Sequence, residues 1–316
     1  MADYGRVPLE ATRARGLERM HLFGRATDES AGALFVPARQ LRNRLPTNRG
    51  GFHLILKGYA NIPAGQVHYR RLHGPGLPVV CLHQTASSGA MWVKVMERMR
   101  GERPFVALDT PGFGGSFDPP QLPPSIGTYA EWLLESLDAL GIGQFHVLCH
   151  HTGACIAVEM TARQPERVAS VAMIGPVPLT EAEREEYKKY YSSPFSPTAE
   201  GEYLKTTWDY LRGLGAHGDL ALHHRELLDT ARAYMGRFMA YTNVWRQDFT
   251  KPFLGIRVPL LLMCAEDDVL WPFFGRAKEM RPDADSAVLK GANFEPDLDP
   301  DGVVGAYRAF LAKHGL

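Results

Sequence analysis

The sequence has no excess of charge of either sign and no long apolar run. Its 316 residues contain 35 Lys and Arg against 35 Asp and Glu, so the formal net charge is zero. This balance supplies no basic field that would attract nucleic acid. No apolar stretch approaches the roughly 20 residues that span a bilayer. We therefore expect no nucleic-acid partner and no membrane association. We expect the substrate to be a small molecule.

Sequence patterns that indicate disulfide bonds, metal sites or nucleotide-binding sites are also missing. The 12 histidines show no HExxH or Cys/His zinc spacing, and no CxxC pair occurs. Neither glycine-rich stretch, 74–76 or 111–115, opens a helix with the spacing of a phosphate-binding loop. We expect no metal and no cofactor. Four cysteines lie within apolar runs, which favours buried free thiols: Cys81, Cys149, Cys155 and Cys264.

The first 50 residues differ from the rest of the chain. They are rich in Arg, weakly periodic and interrupted by Gly and Pro. The opening MADYGRVPLEATRARGLERM mixes acids with arginines and lacks the apolar segment of a signal peptide, which predicts a cytoplasmic protein. We interpret residues 1–50 as an N-terminal extension. Whether this extension supports a homodimer stays open at this point.

From Gly51 onward, short β-rich runs alternate with amphipathic helical stretches. Apolar strands that alternate with helices predict an α/β fold, with a mostly parallel sheet covered by helices on both faces. Eight runs are predicted as strands: GFHLILKGYANI, GQVHYRRL, PVVCLH, PFVALDT, FHVLCH, VASVAMIG, VPLLLMCAED and SAVLKGA.

Strand patterns are interrupted after the sixth run. Residues 178–252 hold acidic and aromatic helical segments such as EAEREEYKKYY and HHRELLDTARAYMGRFMAYT. An insertion at this point is expected to cover the carboxyl ends of the strands, where open α/β sheets bind ligands. We therefore divide the chain into a core, residues 51–177 and 253–316, and a helical cap, residues 178–252. The aromatic content of the cap favours a small apolar or aromatic substrate.

An elbow-like segment and four further motifs give the sequence a specific resemblance. In FHVLCHHTGACIAVEMTARQPERV a strand, a tight turn and a helix follow one another, and the turn at 149–153 occupies the place of a G-x-S-x-G nucleophile elbow. Four further runs follow predicted strands and match, in order along the chain, the loops of the same enzyme fold: LHQTASSGAMW, LDTPGFGGSFDPP, AEDDVLWP and KGANFEPDLDP. Residues 51–316 thus resemble the α/β-hydrolase family with a helical cap. The resemblance implies an eight-stranded sheet and a triad of Ser, Asp and His.

Two of the three triad positions depart from the family pattern. The nucleophile position is His151, and the position that usually carries the catalytic histidine is Asn293. The acid is best matched by Asp268, with the adjacent Asp267 as the alternative. Because His151 has no hydroxyl, it cannot form the acyl-enzyme of a serine esterase, and that mechanism is excluded.

We interpret the two departures as one coupled change. Replacing Ser by His adds an imidazole at the elbow, and replacing His by Asn removes one from the facing loop. The elbow imidazole of His151 is then expected to turn toward Asp268 and rebuild a His–Asp dyad, in which the carboxylate fixes the tautomer. Such an imidazole is a general base near neutral pH. Asn293 would remain able to hydrogen-bond a substrate oxygen or water.

Other candidate site residues surround this dyad. The resemblance implies an oxyanion hole formed by the backbone N–H groups of Gln84 and Thr152. His83 precedes this loop and His150 occupies the variable elbow position, so a packed, hydrogen-bonded role is favoured for both. Trp271 is added as a candidate substrate contact.

Several functions remain open. The leading interpretation is a cofactor-independent enzyme that hydrolyses an ester, lactone, amide or activated C–C ketone bond through a His–Asp general base. A lyase or isomerase using the same base is an alternative, as is His151 acting as a nucleophile through an acyl-imidazole. A catalytically silent ligand-binding protein is the alternative outside enzymes.

Overall fold

An eight-stranded sheet lies at the centre of the structure, a computed structural model that describes residues 54–123, 125–191 and 195–316. The order of the strands in the sheet is β1-β2-β4-β3-β5-β6-β7-β8. β2 is antiparallel to both β1 and β4, and all other neighbours are parallel. The predicted mostly parallel, eight-stranded sheet is confirmed. In chain order, β1 to β8 are Leu56–Ile62, Gly65–Leu72, Val79–Leu82, Phe105–Leu108, Phe145–His150, Val168–Ile174, Leu260–Ala265 and Asp285–Leu289.

Helices connect the strands and cover the sheet. The described residues form eleven α-helices and a few short 3₁₀ turns. In chain order, α1 to α11 are Val93–Arg98, Ile126–Ala139, Thr152–Arg163, Glu181–Tyr191, Glu202–Gly213, Leu220–Arg232, Tyr234–Arg246, Thr250–Gly255, Trp271–Met280, Glu295–Leu298 and Pro300–Lys313. Among them, no helix has both the length and the apolar character that a membrane span needs.

The central strands are apolar throughout because both of their faces are buried. On β3, Val80 and Leu82 face a core layer that contains α2 and α3, whereas Val79 and Cys81 face a second layer that contains α1 and α11. Successive side chains of a strand point to opposite faces, so a continuous apolar run is what this position requires. The four cysteines belong to these layers and are unpaired.

Five helices, α4 to α8, lie between β6 and β7 in the chain. Helices α5 and α6 pack against each other, and α7 contacts α2, α3 and α4. Their range corresponds to the segment predicted as a cap, and the described part of that segment contains no strand. The division into core and cap remains a prediction. The predicted extension at 1–50 lies outside the described residues.

Candidate functional site

His151 makes the turn between β5 and α3 by itself. Strand β5 ends at His150 and α3 begins at Thr152. The backbone of His151 has φ 47° and ψ −110°, a conformation that side-chain-bearing residues rarely adopt and that proteins retain mainly at functional sites. Its N–H donates to the Ile174 carbonyl at 2.9 Å. The sharp turn lifts the imidazole above the carboxyl end of the sheet, as a nucleophile elbow does.

Two glycines make room for this turn. A Cβ on Gly153 would approach the carbonyl oxygen of Leu82 to 2.5 Å, so the first turn of α3 packs closely on β3 only because residue 153 is glycine. Gly175, at the end of β6, has φ 61°, and a Cβ there would collide with the imidazole of His151. The elbow therefore accommodates a histidine because the residue that follows the neighbouring strand β6 is a glycine.

The imidazole of His151 is hydrogen-bonded to Asp268. Its Nε2 lies 2.6 Å from Oδ2 of Asp268, and both side chains are buried. The other carboxylate oxygen, Oδ1, accepts the N–H of Leu270 at 2.6 Å. Because an ionised carboxylate only accepts hydrogen bonds, the neutral imidazole is the Nε2–H tautomer, and Nδ1 carries the lone pair. No described residue hydrogen-bonds Nδ1, so the basic nitrogen is available to the adjoining cavities.

The alternative acid, Asp267, points elsewhere. It is exposed, and its Oδ1 accepts the N–H of Ala292 at 3.0 Å. The structure therefore brings Asp268, and not Asp267, to the elbow imidazole. Asp267 instead fixes the backbone of the loop that follows β8.

Asn293 faces the same cavity as His151. Its Oδ1 accepts the N–H of Val269 at 3.2 Å, and its backbone carbonyl accepts the Gln84 side-chain amide at 3.0 Å. No acceptor within the described residues is hydrogen-bonded to Nδ2 of Asn293. The site thus has an amide donor that faces the same cavity as the imidazole.

The two expected oxyanion donors lie beside His151. Gln84 lines one adjoining cavity and Thr152 lines the other. In the described part of the chain, neither backbone N–H is hydrogen-bonded to an acceptor. The Gln84 side chain is held against Asn293, so the residue offers its backbone rather than its amide group.

Asp109 holds the loop that carries Gln84. Its carboxylate accepts the backbone N–H groups of Gly89 and Gly115 at 2.8 and 2.9 Å, and it pairs with His68 and Arg70. Burial opposes its ionisation, but the His68 hydrogen bond and the Arg70 charge lower the pKa of Asp109 to about 2. An ionised Asp109 therefore connects the loop after β3 to the turn after β4.

A second histidine–carboxyl pair lies behind the dyad. His150 Nε2 is 2.8 Å from Oε2 of Glu295, both side chains are fully buried, and the His150 ring stacks on His151 with centroids 4.1 Å apart. Burial raises the pKa of Glu295 well above its usual range, and the charge of Asp268 raises it further. Burial also lowers the pKa of His150. Both shifts favour the neutral pair, in which the Glu295 carboxyl beside Asp268 carries the proton.

Two adjoining cavities meet at His151. Each has a volume of about 40 Å³. Thr85, His151, Tyr241 and Val269 line both. The second is largely apolar and aromatic, with Val177, Tyr187, Val244, Trp245 and Leu270 in its wall. The first also contains buried charged groups, Glu226 and Arg237, which the sequence analysis did not anticipate.

Known proteins share this architecture. The family described as alpha/beta hydrolase fold matches residues 78–213. The structure of a thermophilic esterase from Thermogutta terrifontis superposes with a TM-score of 0.66 at 17% identity, covering 82% of this chain and 98% of that one. This chain is an α/β-hydrolase-fold protein. The similarity at this level of identity establishes the fold.

Curated relatives are distant. The uncharacterized carboxylesterase nap of Bacillus subtilis is 26% identical over 89% of this chain and 90% of its own length. The dihydrolipoyllysine-residue acetyltransferase component of the acetoin cleaving system of Cupriavidus necator is 27% identical over 56% of this chain. The match spans 44% of that relative's length, less than half of it.

Three side chains of this α/β-hydrolase-fold protein bring metal-ligating atoms within 4.8 Å of one another: His150, His151 and Asp268. The two imidazole planes are stacked at 15°. Because the lone pairs of an imidazole lie in the plane of its ring, stacked rings direct them along parallel planes and not toward one ion. Both oxygens of Asp268 already accept hydrogen bonds. This geometry suits hydrogen bonding rather than shared coordination of a metal.

Three predicted site residues lie outside the cavity walls. His83 uses both nitrogens within the fold, as Nδ1–H donates to the Gln84 carbonyl at 2.7 Å and Nε2 accepts the Thr110 N–H at 2.9 Å. His150 lies behind His151. Trp271 begins α9 and stacks on Phe274 in the core, with centroids 5.4 Å apart. Their positions support packing roles and give no support to substrate contact by Trp271, because its ring is turned toward the core.

The protonation of Glu295 gives a stability prediction. Glu295→Gln keeps the shape and a donor group next to Asp268, so the free energy of unfolding should stay within about 1 kcal/mol of wild type. Glu295→Ala removes the partner of His150 and of the Ala265 N–H and leaves a cavity, which should cost about 2–4 kcal/mol. Urea unfolding at pH 7 measures both variants. Equal losses in the two would contradict a neutral Glu295.

Proposed function

We propose that this protein is an enzyme in which His151 acts as a general base and Asp268 orients it, hydrolysing an ester, lactone, amide or activated C–C ketone bond without a serine nucleophile. One observation carries the proposal. The 2.6 Å hydrogen bond to Asp268 uses Nε2 of His151 and leaves the Nδ1 lone pair available to the cavities. A base so placed accelerates a proton transfer by about 10²- to 10⁴-fold.

The proposed chemistry is a direct attack by water. Nδ1 of His151 takes a proton from a water molecule while the water oxygen bonds to the substrate carbonyl carbon. The carbonyl oxygen becomes an oxyanion, which the N–H groups of Gln84 and Thr152 stabilise. Asp268 stabilises the imidazolium. When the tetrahedral intermediate collapses, the imidazolium returns the proton to the leaving group, and the base is regenerated.

Asn293 and the helices α4 to α8 have supporting roles in this proposal. The Asn293 amide Nδ2–H₂ donates to the attacking water or to a substrate oxygen. The helices act as a cap that excludes bulk water, since Tyr187 and Trp245 contribute to the cavity wall. No metal or cofactor enters any step, and the substrate is a small molecule. A cytoplasmic location and a homodimer remain predictions from the sequence.

The relatives favour hydrolysis, because a carboxylesterase and an esterase are among them. A lyase or isomerase is the second candidate. It is favoured by the absence of a nucleophilic hydroxyl or thiol at residue 151, which leaves Nδ1 equally suited to removing a proton from a carbon acid.

Asp268→Asn and Asp267→Asn test the proposal as a matched pair. An amide at 268 no longer favours the Nε2–H tautomer, so kcat should fall, by as much as about 10⁴-fold, on any substrate that the wild type turns over. Asp267→Asn is the same isosteric change on a carboxylate that only accepts a backbone N–H, so its kcat should equal that of wild type. The assay uses a panel of aryl esters, lactones, amides and β-diketones. Equal kcat values in both variants would rule out the dyad.

A further inference from the structure

The first cavity contains two buried charged side chains that the proposed reaction does not use. Glu226 on α6 and Arg237 on α7 are each 2% exposed, and both line the cavity together with His151. Burying a charged group costs several kcal/mol unless it is paired or hydrogen-bonded. The contacts of each charged group therefore indicate which chemical groups of a ligand the cavity can bind.

Within the described residues, only one carboxyl oxygen of Glu226 accepts hydrogen bonds. Oε1 accepts hydrogen bonds from the Ser87 hydroxyl at 2.8 Å and from the Arg225 guanidinium. Arg225 is itself fixed by a bidentate pair with Asp297 at 2.8 and 2.7 Å. No described residue donates a hydrogen bond to Oε2. Oε2 is also not one of the buried side-chain atoms that lack both solvent access and a hydrogen-bond partner. Since Glu226 lines the cavity, Oε2 is a rigidly held acceptor that faces it.

The same wall also carries a cationic side chain, Arg237. The Arg237 guanidinium lies over the rings of Phe195, Tyr210 and Tyr241, with centroids 4.4, 5.5 and 5.1 Å away. One cationic and one anionic group therefore share the cavity. A substrate ammonium would be repelled by the guanidinium, and a substrate carboxylate would be repelled by Glu226. A neutral hydrogen-bond donor is compatible with both.

We propose that Glu226 is a specificity residue whose Oε2 accepts a hydrogen bond from a neutral hydroxyl or amide N–H of the substrate, at the end remote from the reacting carbonyl. This inference rests on the proposed function, because it seats the carbonyl at His151. The substrate is then bipartite. Its donor-bearing part occupies the first cavity, and an apolar part occupies the second cavity against Tyr187 and Trp245.

Glu226→Gln changes the acceptor with almost no change in volume. Because Ser87 and Arg225 both donate to Oε1, the amide oxygen of glutamine takes that place, and its NH₂ group replaces Oε2. The cavity-facing acceptor becomes a donor. Asp229→Asn is the matched control, since Asp229 lies on the same helix and accepts the Ser88 hydroxyl at 2.9 Å but does not line the cavity.

Two esters that differ only in a donor measure the effect: 4-nitrophenyl 4-(hydroxymethyl)benzoate and 4-nitrophenyl 4-methylbenzoate. Wild type and Asp229→Asn should prefer the hydroxymethyl ester by at least about tenfold in kcat/KM. Glu226→Gln should lose that preference while keeping wild-type kcat/KM on the methyl ester. A loss of equal size on both esters, or no preference in wild type, would overturn the assignment.

Ligand binding separates this inference from the proposed reaction. Calorimetry with His151→Ala protein compares 4-(hydroxymethyl)benzamide with 4-methylbenzamide, and the same comparison is repeated with Glu226→Gln added. A hydroxyl preference that depends on Glu226, in a protein whose wild type turns over no ester, upholds the specificity site and contradicts hydrolysis. No preference in binding contradicts the specificity site. Tighter binding of 4-(aminomethyl)benzamide than of the hydroxymethyl compound would contradict the assignment of a neutral donor.

Discussion

His151→Ala should lower kcat by about 10²- to 10⁴-fold on the substrate that the wild type turns over, with a much smaller change in KM. The variant removes the Nδ1 lone pair that accepts the proton and leaves Asp268 without a partner on Oδ2. Cavity walls and oxyanion donors stay in place, so substrate binding should persist. Steady-state kinetics on the best substrate of the panel measures the loss.

Two further measurements make this result specific. Added imidazole should restore part of the lost activity, because the vacated space lies between Gly175 and Asp268 and opens to both cavities. His224→Ala, at an exposed histidine of α6, should have wild-type kinetics. Full turnover by His151→Ala would place the chemistry elsewhere in the cavity and end the dyad hypothesis.

The double variant His151→Ser with Asn293→His should gain the reactivity of a serine hydrolase. It places a hydroxyl at the strained elbow and an imidazole on the facing loop, which lines the same cavity and is hydrogen-bonded to the turn that carries Asp268. The hydroxyl can then transfer its proton to the imidazole and form an acyl-enzyme. Labelling by a fluorophosphonate probe, which requires an activated serine, should rise from background to stoichiometric.

The single variants are the controls for this gain. His151→Ser alone should remain unlabelled, because the Asn293 amide cannot accept the proton of the hydroxyl. Asn293→His alone should also remain unlabelled, since residue 151 carries no hydroxyl. Labelling of His151→Ser alone would show that another group near the elbow acts as the base. An unlabelled double variant that keeps wild-type melting behaviour would contradict the placement of residue 293 opposite the elbow.

Local patterns in the sequence were sufficient to predict the sheet and the chain segments that surround the site. Each of the eight strands is a short apolar or alternating run, and the elbow is a strand, a turn and a helix in succession, so every signal lies within about 20 residues. The loops carrying Gln84, Asp268 and Asn293 follow strands that end at one edge of the sheet. Because these loops share one edge of the sheet, the order of the motifs along the chain was enough to predict that the loops lie close together.

Contacts between distant segments could not be predicted in this way. Ser87 and Glu226 are 139 residues apart, and His150 and Glu295 are 145 apart. An acidic residue on an amphipathic helix or in a surface loop ordinarily faces water, so neither glutamate stood out. Gly175 looked like the end of a strand, and only the three-dimensional arrangement shows that its missing side chain leaves space for the imidazole.

The tautomer of His151 was equally inaccessible to sequence reasoning. Both ring nitrogens can face a carboxylate, and which one does so depends on the backbone from which the ring hangs. The strained elbow presents Nε2 to Asp268 and leaves Nδ1 available to the cavities. The orientation of Trp271 was also inaccessible, because an aromatic residue at a helix start can turn toward the core or toward a cavity with the same pattern.

The strained turn at His151 also determines how accurately the proposed general base and one oxyanion donor are positioned relative to each other. In a serine hydrolase the base and one oxyanion donor are carried by separate loops, so their spacing varies as those loops fluctuate. Here the base and the Thr152 N–H belong to consecutive residues, joined by one planar peptide unit at the junction of β5 and α3. The distance from the His151 Cα to the Thr152 nitrogen is therefore fixed by covalent geometry, and only ψ and the side-chain torsions of His151 determine where the imidazole lies relative to that N–H. In the proposed mechanism the loop after β8 does not carry the base, so its residues other than Asn293 can vary without moving the proton acceptor away from the oxyanion.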